Sequence, residues 1–234
     1  MHSNNQPPCF TWVSLHEWEK DSHWWSIYVK SFPERERDTK NQLTRALKNQ
    51  WASVGRFRCA GQTIAIAVVY PLKTLPITFL HYFAVAPLLR GQNLGSTLLR
   101  SLIVDAHEFN YQHHRESMGL VFEVEDPHYA TNEHDRTVRN QRIQFYEKNK
   151  AQLLKNTFIQ PPINAREEKI TEKNGSLHMR LMYASLQEEM LLFKQEEALA
   201  RAIYFEKYHV VNDIPAEMLT DFLSSFFAYD KKQE

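Results

Sequence analysis

The chain has few cysteines, no excess of either charge and no long apolar run. Its two cysteines, Cys9 and Cys59, are too few for a disulfide framework and lack metal-site spacing, so we expect reduced thiols. The 28 basic residues balance the 28 acidic ones, which argues against a nucleic-acid surface. No window approaches about 18 consecutive apolar residues, and the polar start, MHSNNQPP, lacks the apolar core of a secretory signal. We therefore expect a cytoplasmic protein that binds neither a membrane nor nucleic acid.

Five histidines lie close enough together in the sequence to be considered as metal ligands. The cluster comprises His107, His113, His114, His128 and His134. These residues have neither the H-E-x-x-H pattern nor a Cys/His spacing typical of zinc sites. We expect helix-end and loop histidines here and no metal.

The order of apolar patterns is typical of an α/β fold. With 234 residues, 43% of them hydrophobic, the chain suits one large domain or one domain with an appendage. Periodicity predicts a helix ending before Pro33, a second helix over 38–51, three strands, a helix, a strand, a helix and two strands. A long helical pattern over 187–208 and a shorter one after Asp213 follow.

A strand that leads through a glycine-containing turn into a helix is the most informative segment. The apolar run 79–85 is followed by Pro87, by the turn RGQNLGS over 90–96 and by an amphipathic helix. Free backbone N–H groups and the helix dipole make such a turn suitable for a pyrophosphate. Gly91 and Gly95 do not fit G-x-x-x-x-G-K-S/T or G-x-G-x-x-G, so the turn predicts neither a P-loop nor a dinucleotide fold.

The same turn resembles the acyl-CoA pyrophosphate loop, R/Q-x-x-G-x-G/A, of the GNAT superfamily of N-acetyltransferases. Arg90 occupies the first position and Gly95 the last, whereas Asn93 replaces the middle glycine. Asn is the non-glycine residue that best tolerates a positive φ angle, so this departure is small.

Two further family landmarks follow in the expected order. Phe145 and Tyr146 lie near the end of a predicted helix, as in the family, although Asn149-Lys150-Ala151 replaces the usual Gly-Phe corner. The strand Phe122-Glu123-Val124 is similar to the family's L-E-V strand. The stretches FEVEDP, RI-x-FYEK, QPP over 160–162 and SFP over 31–33 resemble a bacterial GNAT group of undefined substrate, and the resemblance covers roughly residues 10–184.

The resemblance implies a mixed α/β sheet that is flanked by helices and splayed at an acyl-CoA cleft. Residues 1–184 would form the acyltransferase domain, and 185–234 a C-terminal helical extension packed on it. A homodimer surface or a lid over the acceptor cleft is the alternative role for the extension. Acetyl-CoA would be the co-substrate. The residues that the resemblance assigns to it are Phe83, Ala84, Val85, Arg90, Gly91, Gln92, Asn93, Leu94, Gly95 and Ser96.

The resemblance also implies roles in acyl transfer. The N–H of Val85 would donate to the oxyanion, and Tyr146, with an ordinary pKa of about 10, would protonate the leaving thiolate. Glu123 matches the family base, and strand alternation places Glu125 on the same face. His81, on the cleft-lining strand, is a second candidate base, and a water relay is a third.

These features predict an N-acetyltransferase that moves the acetyl group of acetyl-CoA to a primary amine by direct attack in a ternary complex. A small amine, an amino-sugar antibiotic and a protein amine all remain open as acceptors. A non-catalytic acyl-CoA-binding or regulatory protein of the same fold is the alternative, favoured by the departures at Asn93 and Asn149. A pure interaction module built on the C-terminal helices is a third hypothesis.

Overall fold

Seven strands form one mixed sheet in the computed structural model of the chain, which describes residues 9–112, 119–163, 176–185 and 193–228. The strand order is β1-β2-β3-β4-β5-β7-β6. The strands are β1 Cys9–Trp12, β2 Ser53–Cys59, β3 Gln62–Pro71, β4 Ile77–Val85, β5 Gly119–Glu125, β6 Gln152–Gln160 and β7 Leu177–Ala184. The mixed sheet flanked by helices confirms the predicted fold class.

Helices cover both faces of this sheet. The α-helices are α1 Leu15–Lys20, α2 Ser22–Ser31, α3 Lys40–Lys48, α4 Leu94–Gln112, α5 Glu133–Lys148, α6 Phe193–Ala202, α7 Val210–Asn212 and α8 Ala216–Ala228. A π-helical segment, Ile203–His209, joins α6 to α7, and short 3₁₀ turns lie at Glu34–Glu36, Pro87–Leu89 and Pro127–Tyr129. Within the described ranges, none of the helices is both long and apolar enough to cross a bilayer.

Alternating side chains of the central strands bury the sheet on both sides. On β3, Ile66 and Val68 pack in a cluster with α2, α3 and the C-terminal helices, whereas Ala67 and Val69 pack with α4 and α5. This alternation is the period-2 geometry of a strand, applied to a run that is apolar at nearly every position.

Among the described strands, β4 and β5 are the one parallel pair, and the sheet opens between them. β4 and β5 are paired only from Ile77 with Gly119 to Phe79 with Val121. Opposite, the pairing of β3 with β4 shifts between Val68 and Val69, which leaves His81 as an extra residue in β4. Such a bulge bends and twists its strand, so the rest of β4 diverges from β5 and one of its backbone edges stays unpaired.

The C-terminal helices share a core with the sheet. Tyr204, Tyr208 and Phe222 are buried in the same cluster as the strand residues of that face, and Tyr204 stacks on Phe158 of β6 with ring centroids 4.5 Å apart. The described helix starts at Phe193 and changes to π geometry at Ile203, so the single regular pattern predicted over 187–208 is broken. The part of that pattern at 187–192 lies outside the described residues, and the domain boundary after residue 184 stays a prediction.

Two local expectations from the sequence differ from the structure. The segment 10–32 holds an edge strand and two helices, because Ser14 forms a capping box with Glu17 and Asp21 caps a second helix. The sequence RNQRIQFYEKNK predicts a helix over 139–150, but α5 starts earlier, at Glu133, where the Asn132 side chain accepts a hydrogen bond from the Asp135 N–H. In both segments, polar capping residues determine where the helices begin, and apolar periodicity does not indicate them.

Candidate active site

A cleft of about 650 Å³ lies where β4 and β5 diverge. It is lined by the end of β4, the turn that follows it, β5, α5 and the segment after α2. The SFP and QPP stretches singled out in the sequence also reach it, through Ser31, Phe32, Pro33 and Gln160.

The unpaired edge of β4 directs backbone groups into the cleft. The N–H of Ala86 donates to the Ile64 carbonyl at 2.8 Å, so Ala86 faces β3. Because neighbouring residues of a strand direct their N–H and C=O groups to opposite sides, those of Phe83 and Val85 point away from β3, and those of Ala84 point towards it. The Arg90 Nε donates to the Val85 carbonyl at 3.1 Å, which agrees with that direction.

The turn after β4 has the conformation expected of an anion-binding loop. Gly91 and Asn93 have φ angles of +79° and +57°, so Asn93 adopts the left-handed conformation expected at the middle position of the motif. Gly95 lies in the first turn of α4, where a Cβ atom would be 3.2 Å from the Phe145 ring. Glycine at this position therefore allows α4 and α5 to approach closely beside the loop.

The geometry of β4 and of the turn that follows it fits an extended acyl-CoA. Unpaired amide groups on β4 suit an amide-containing arm, and the N-terminus of α4 suits a pyrophosphate. Arg90, Gly91, Asn93, Gly95 and Ser96 all line the cleft. The remaining two residues of the predicted loop lie beside it: Gln92 is exposed to solvent, and Leu94, the first residue of α4, is partly buried against the core.

Tyr146 lies in the wall of the cleft, on α5. Its ring packs against Phe122 and Phe145, with centroids 4.4 and 5.0 Å apart. Burial raises the pKa of its hydroxyl, although the charge of Arg142 opposes this. Among the described residues, none forms a hydrogen bond with that hydroxyl, so it remains a proton donor at neutral pH.

The corner after α5 is held by a side chain in place of the usual Gly-Phe pair. Asn149 Nδ2 donates to the Phe145 carbonyl at 2.7 Å and to Ser96 Oγ at 3.0 Å. Lys150 follows in a left-handed conformation with a φ angle of +67°. Asn149 therefore links the end of α5 to the first turn of α4.

Glu123 lies opposite this wall, on β5, with Glu125 on the same face of the strand. The Tyr208 hydroxyl donates to its carboxylate, 2.7 Å from Oε1 and 2.9 Å from Oε2, and Gln160 Nε2 donates to Oε2 at 2.9 Å. Burial raises the pKa of Glu123 to about 7, against the hydrogen bond from Tyr208 and the charge of Lys207. A carboxylate with this pKa is suited to accept a proton near neutral pH.

His81 lines the cleft at the bulge in β4, with a side chain only 2% exposed. Its Nε2 is 3.7 Å from Asp38 Oδ2, too far for a hydrogen bond, and neither ring nitrogen has such a partner within the described ranges. Burial and the Lys207 charge lower its pKa well below the ordinary value, so His81 is neutral. The structure thus brings all three predicted catalytic candidates to one cleft and gives Glu123 the pKa of a base.

A buried ionic network behind Glu123 was missed by sequence reasoning. Lys207 Nζ lies 3.0 and 3.1 Å from the two oxygens of Asp38 and 2.6 Å from Asn212 Oδ1. Asn212 Nδ2 and the Tyr70 hydroxyl also donate to Asp38, at 2.7 and 3.0 Å. Although burial opposes it, the charge of Lys207 contributes to the lowered pKa of Asp38, which stays ionised.

The side of the cleft formed by β5 and by the segment after α2 is rich in carboxylates. Glu36 and Glu125 line it together with Glu123, and Arg142 forms a close ion pair with Glu125. Burial and the nearby Glu125 charge raise the pKa of Glu36. The adjacent Asp38 holds this segment in place, because its N–H donates to the Tyr82 hydroxyl at 2.7 Å.

Comparison with known proteins gives matches at two levels. Residues 11–118 match the model of the "Acetyltransferase (GNAT) family". No curated protein sequence matches the chain significantly.

Solved structures with a similar fold cover most of the chain at low sequence identity. A putative GNAT-family acetyltransferase from Bacteroides thetaiotaomicron is 18% identical, with a TM-score of 0.65 over 88% of this chain and 99% of its own. An IAA acetyltransferase from Bacillus cereus is 15% identical, with a TM-score of 0.50 over 77% and 100%. An aminoglycoside 6'-N-acetyltransferase complexed with coenzyme A is 12% identical, with a TM-score of 0.52 over 78% and 99%. At these identities the likeness concerns the fold.

Proposed function

We propose that the chain, whose residues 11–118 match the model of the GNAT acetyltransferase family, is an acyl-CoA-dependent N-acetyltransferase whose acceptor is a primary amine. One observation carries the proposal. The unpaired edge of β4, the loop at the start of α4 and two proton-transfer groups, Glu123 and Tyr146, all line one cleft.

The coenzyme would lie along β4 and supply an acetyl group activated as a thioester. The N–H groups at the start of α4 hold its pyrophosphate, and the backbone groups of Phe83 and Val85 hold its amide-containing arm. The Val85 N–H points into the cleft and is the donor for the oxyanion.

Glu123 and Tyr146 handle the protons of a direct attack in a ternary complex. A free amine is largely protonated near neutral pH, so Glu123 takes its proton before or as the N–C bond forms. The C–S bond breaks, and the departing thiolate takes the Tyr146 proton. The nitrogen then gives up its second proton, which returns Tyr146 to its protonated form directly or through solvent. His81 is less suited to the first step, since its strongly lowered pKa makes it a weak base.

The two departures from the family motif do not favour a non-catalytic protein. Asn93 adopts the positive φ angle for which the motif uses glycine, and Asn149 fixes the corner after α5 through two hydrogen bonds. Both parts of the predicted site therefore keep their geometry.

The test is acetyl-CoA binding by calorimetry, followed by thiol release with a panel of amines. Because three carboxylates line the acceptor side, the panel should include diamines and amino sugars beside neutral amines and peptide N-termini. We expect binding and amine-dependent thiol release. Binding without thiol release from any amine would support the non-catalytic alternative, and absence of binding would contradict both.

The assignment of the base is tested by the acidic limb of the rate against pH. Glu123→Gln should remove this limb, and His81→Ala should leave it in place. The opposite result would make His81 the base. Retention of the limb in both variants would indicate that the amine loses its proton to bulk water before it binds.

A further inference from the structure

Two consecutive residues of the π-helical segment point into the protein behind the cleft. Lys207 and Tyr208 are both fully buried, within Ile203–His209. A regular helix would place adjacent side chains about 100° apart, and π turns of this kind are frequent at functional sites. Here the wider turn lets Lys207 reach Asp38 while Tyr208 reaches Glu123.

Tyr208 contacts Glu123 in a way that fixes the carboxylate. Its hydroxyl lies within 2.9 Å of both oxygens, and Gln160 Nε2 donates both to Oε2 at 2.9 Å and to the Tyr208 oxygen at 3.2 Å. The three side chains come from β5, β6 and the C-terminal segment. Since Oε1 has the Tyr208 hydroxyl as its one donor among the described residues, it retains a lone pair for a proton from the cleft.

We propose that Tyr208 is a positioning residue for Glu123, and that the C-terminal segment thereby completes the active site. The inference rests on the proposed function for the role of Glu123 as base. Tyr208 does not meet the reacting atoms. It acts by holding the Glu123 carboxylate in one orientation and by stabilising its charged form through a hydrogen bond.

After burial, this hydrogen bond has the largest effect on the protonation of Glu123. The Lys207 charge lowers the pKa of Glu123 and the Asp38 charge raises it, so these two groups act in opposite directions, and His81 on β4 is neutral. Glu125, on the same strand, is neutralised by Arg142 from α5. Burial raises the pKa of Glu123, and the hydrogen bond from Tyr208 is the strongest effect that lowers it. Loss of the Tyr208 hydroxyl should therefore raise this pKa further.

The experiment compares Tyr208→Phe with Tyr204→Phe. Tyr204 is buried in the same segment, but its hydroxyl bonds the backbone of Ile159, at 2.9 Å to the carbonyl and 3.2 Å to the N–H. Tyr208→Phe should move the acidic limb of kcat/KM upward by about one pH unit, the order expected for a lost hydrogen bond to a carboxylate. The KM for acetyl-CoA should stay unchanged, and Tyr204→Phe should leave the limb where it is in the parent.

A second readout does not depend on turnover. The Glu123 carboxyl carbon can be followed by NMR against pH, with its signal assigned by its loss in Glu123→Gln. A titration midpoint raised in Tyr208→Phe alone would support the proposal. A midpoint that is unchanged, or raised equally in Tyr204→Phe, would overturn it. Absence of acetyl transfer in the parent, with the midpoint still controlled by Tyr208, would contradict the proposed function and leave the contact between Tyr208 and Glu123 established.

Discussion

The two arms of the cleft, named here for their proposed ligands, are built in different ways. The coenzyme arm, residues 83–96, is one continuous stretch that offers mainly backbone groups to the cleft. The acceptor arm, Glu123 with the side chains that support it, draws on segments far apart in the chain, since Tyr208 is 85 residues from Glu123 and Lys207 is 169 residues from Asp38. A backbone site depends on conformation, so many side chains are tolerated. A side-chain site depends on every partner, because each buried polar group relies on another.

This contrast predicts where substitutions act. In the coenzyme arm, a change should matter only where it adds bulk or charge to the path of the ligand. In the acceptor arm, removing one polar group should affect a second group that was never touched. The predictions that follow test both statements, from the largest expected effect to the smallest.

Tyr146 lies where the two arms meet and should show the largest effect. Tyr146→Phe removes the proposed proton donor but keeps the ring that packs on Phe122. We expect turnover to fall about 10²–10⁴-fold, the usual cost of losing a general acid, with unchanged acetyl-CoA affinity. Steady-state kinetics and calorimetry check this.

The matched control for this variant is Tyr129→Phe, because Tyr129 is half-exposed and stacks on His178 outside the cleft. A change of less than about threefold in Tyr146→Phe, well below the range for an acid catalyst, would mean that Tyr146 only packs.

Lys207 tests the dependence of one buried group on another. Lys207→Met leaves Asp38 ionised and buried with no cation, which costs about 3–5 kcal/mol of the free energy of unfolding. Arg136→Met removes an exposed cation beside Glu133 and should cost about 0–1 kcal/mol. Urea unfolding of both variants gives the comparison.

A second variant checks the cause of this loss. Adding Asp38→Asn to Lys207→Met removes the uncompensated charge, so part of the lost stability should return. If Asp38→Asn lowers the free energy of unfolding of Lys207→Met as much as it lowers that of the parent, the two side chains do not act as a pair.

Gly95 tests the coenzyme arm. Gly95→Asp adds a carboxylate at the start of α4, where the pyrophosphate is expected, and the repulsion should cost about 2–3 kcal/mol, or roughly 100-fold in acetyl-CoA affinity. Gly95→Ala adds only the Cβ that would lie 3.2 Å from the Phe145 ring. Calorimetry should show a much smaller loss for Ala than for Asp. Equal losses would mean that the effect comes from helix packing. An unchanged affinity of Gly95→Asp would mean that the pyrophosphate does not bind at this loop.

The same contrast explains how much of the site could be predicted from the sequence. The strand, the turn and the start of α4 are local, so Arg90, Asn93 and Gly95 mark the coenzyme arm within a few residues of one another. The sheet and its flanking helices follow from apolar periodicity, which also places Glu123 and Glu125 on one face of β5. The predicted roles of these residues remain to be tested by the variants above.

The support for Glu123 had no comparable signal. In the sequence, Asp38 has the position of an ordinary turn residue before a helix, and the helical pattern predicts that Lys207 is exposed to solvent. Only the change to π geometry at Ile203 turns Lys207 and Tyr208 inward together. That change depends on packing against residues far away in the chain, which periodicity within one segment does not contain.

The smallest expected effect is a change with pH in the free energy of unfolding, caused by the raised pKa of Glu123. The pKa of Glu123 is raised from 4.5 to about 7 in the folded protein. Between these values the folded state holds a proton that the unfolded state has lost, so stability falls as pH rises through this window and is level above it. Gln does not titrate. The free energy of unfolding of Glu123→Gln, relative to the parent, should therefore increase by about 2 kcal/mol from pH 5 to pH 8.

Urea unfolding at a series of pH values measures that difference, and the titrating groups that lie away from Glu123 cancel because both proteins share them. Any constant effect of the substitution, such as an altered hydrogen bond with Gln160, shifts the whole curve without changing its slope. Gln160→Glu is unsuitable as a control, since it adds a second carboxylate, whereas Glu217→Gln removes an exposed one on α8 and should give a flat difference. A flat difference for Glu123→Gln as well would mean that Glu123 titrates alike in both states, and the acceptor arm would then hold an ordinary carboxylate instead of a base tuned by burial.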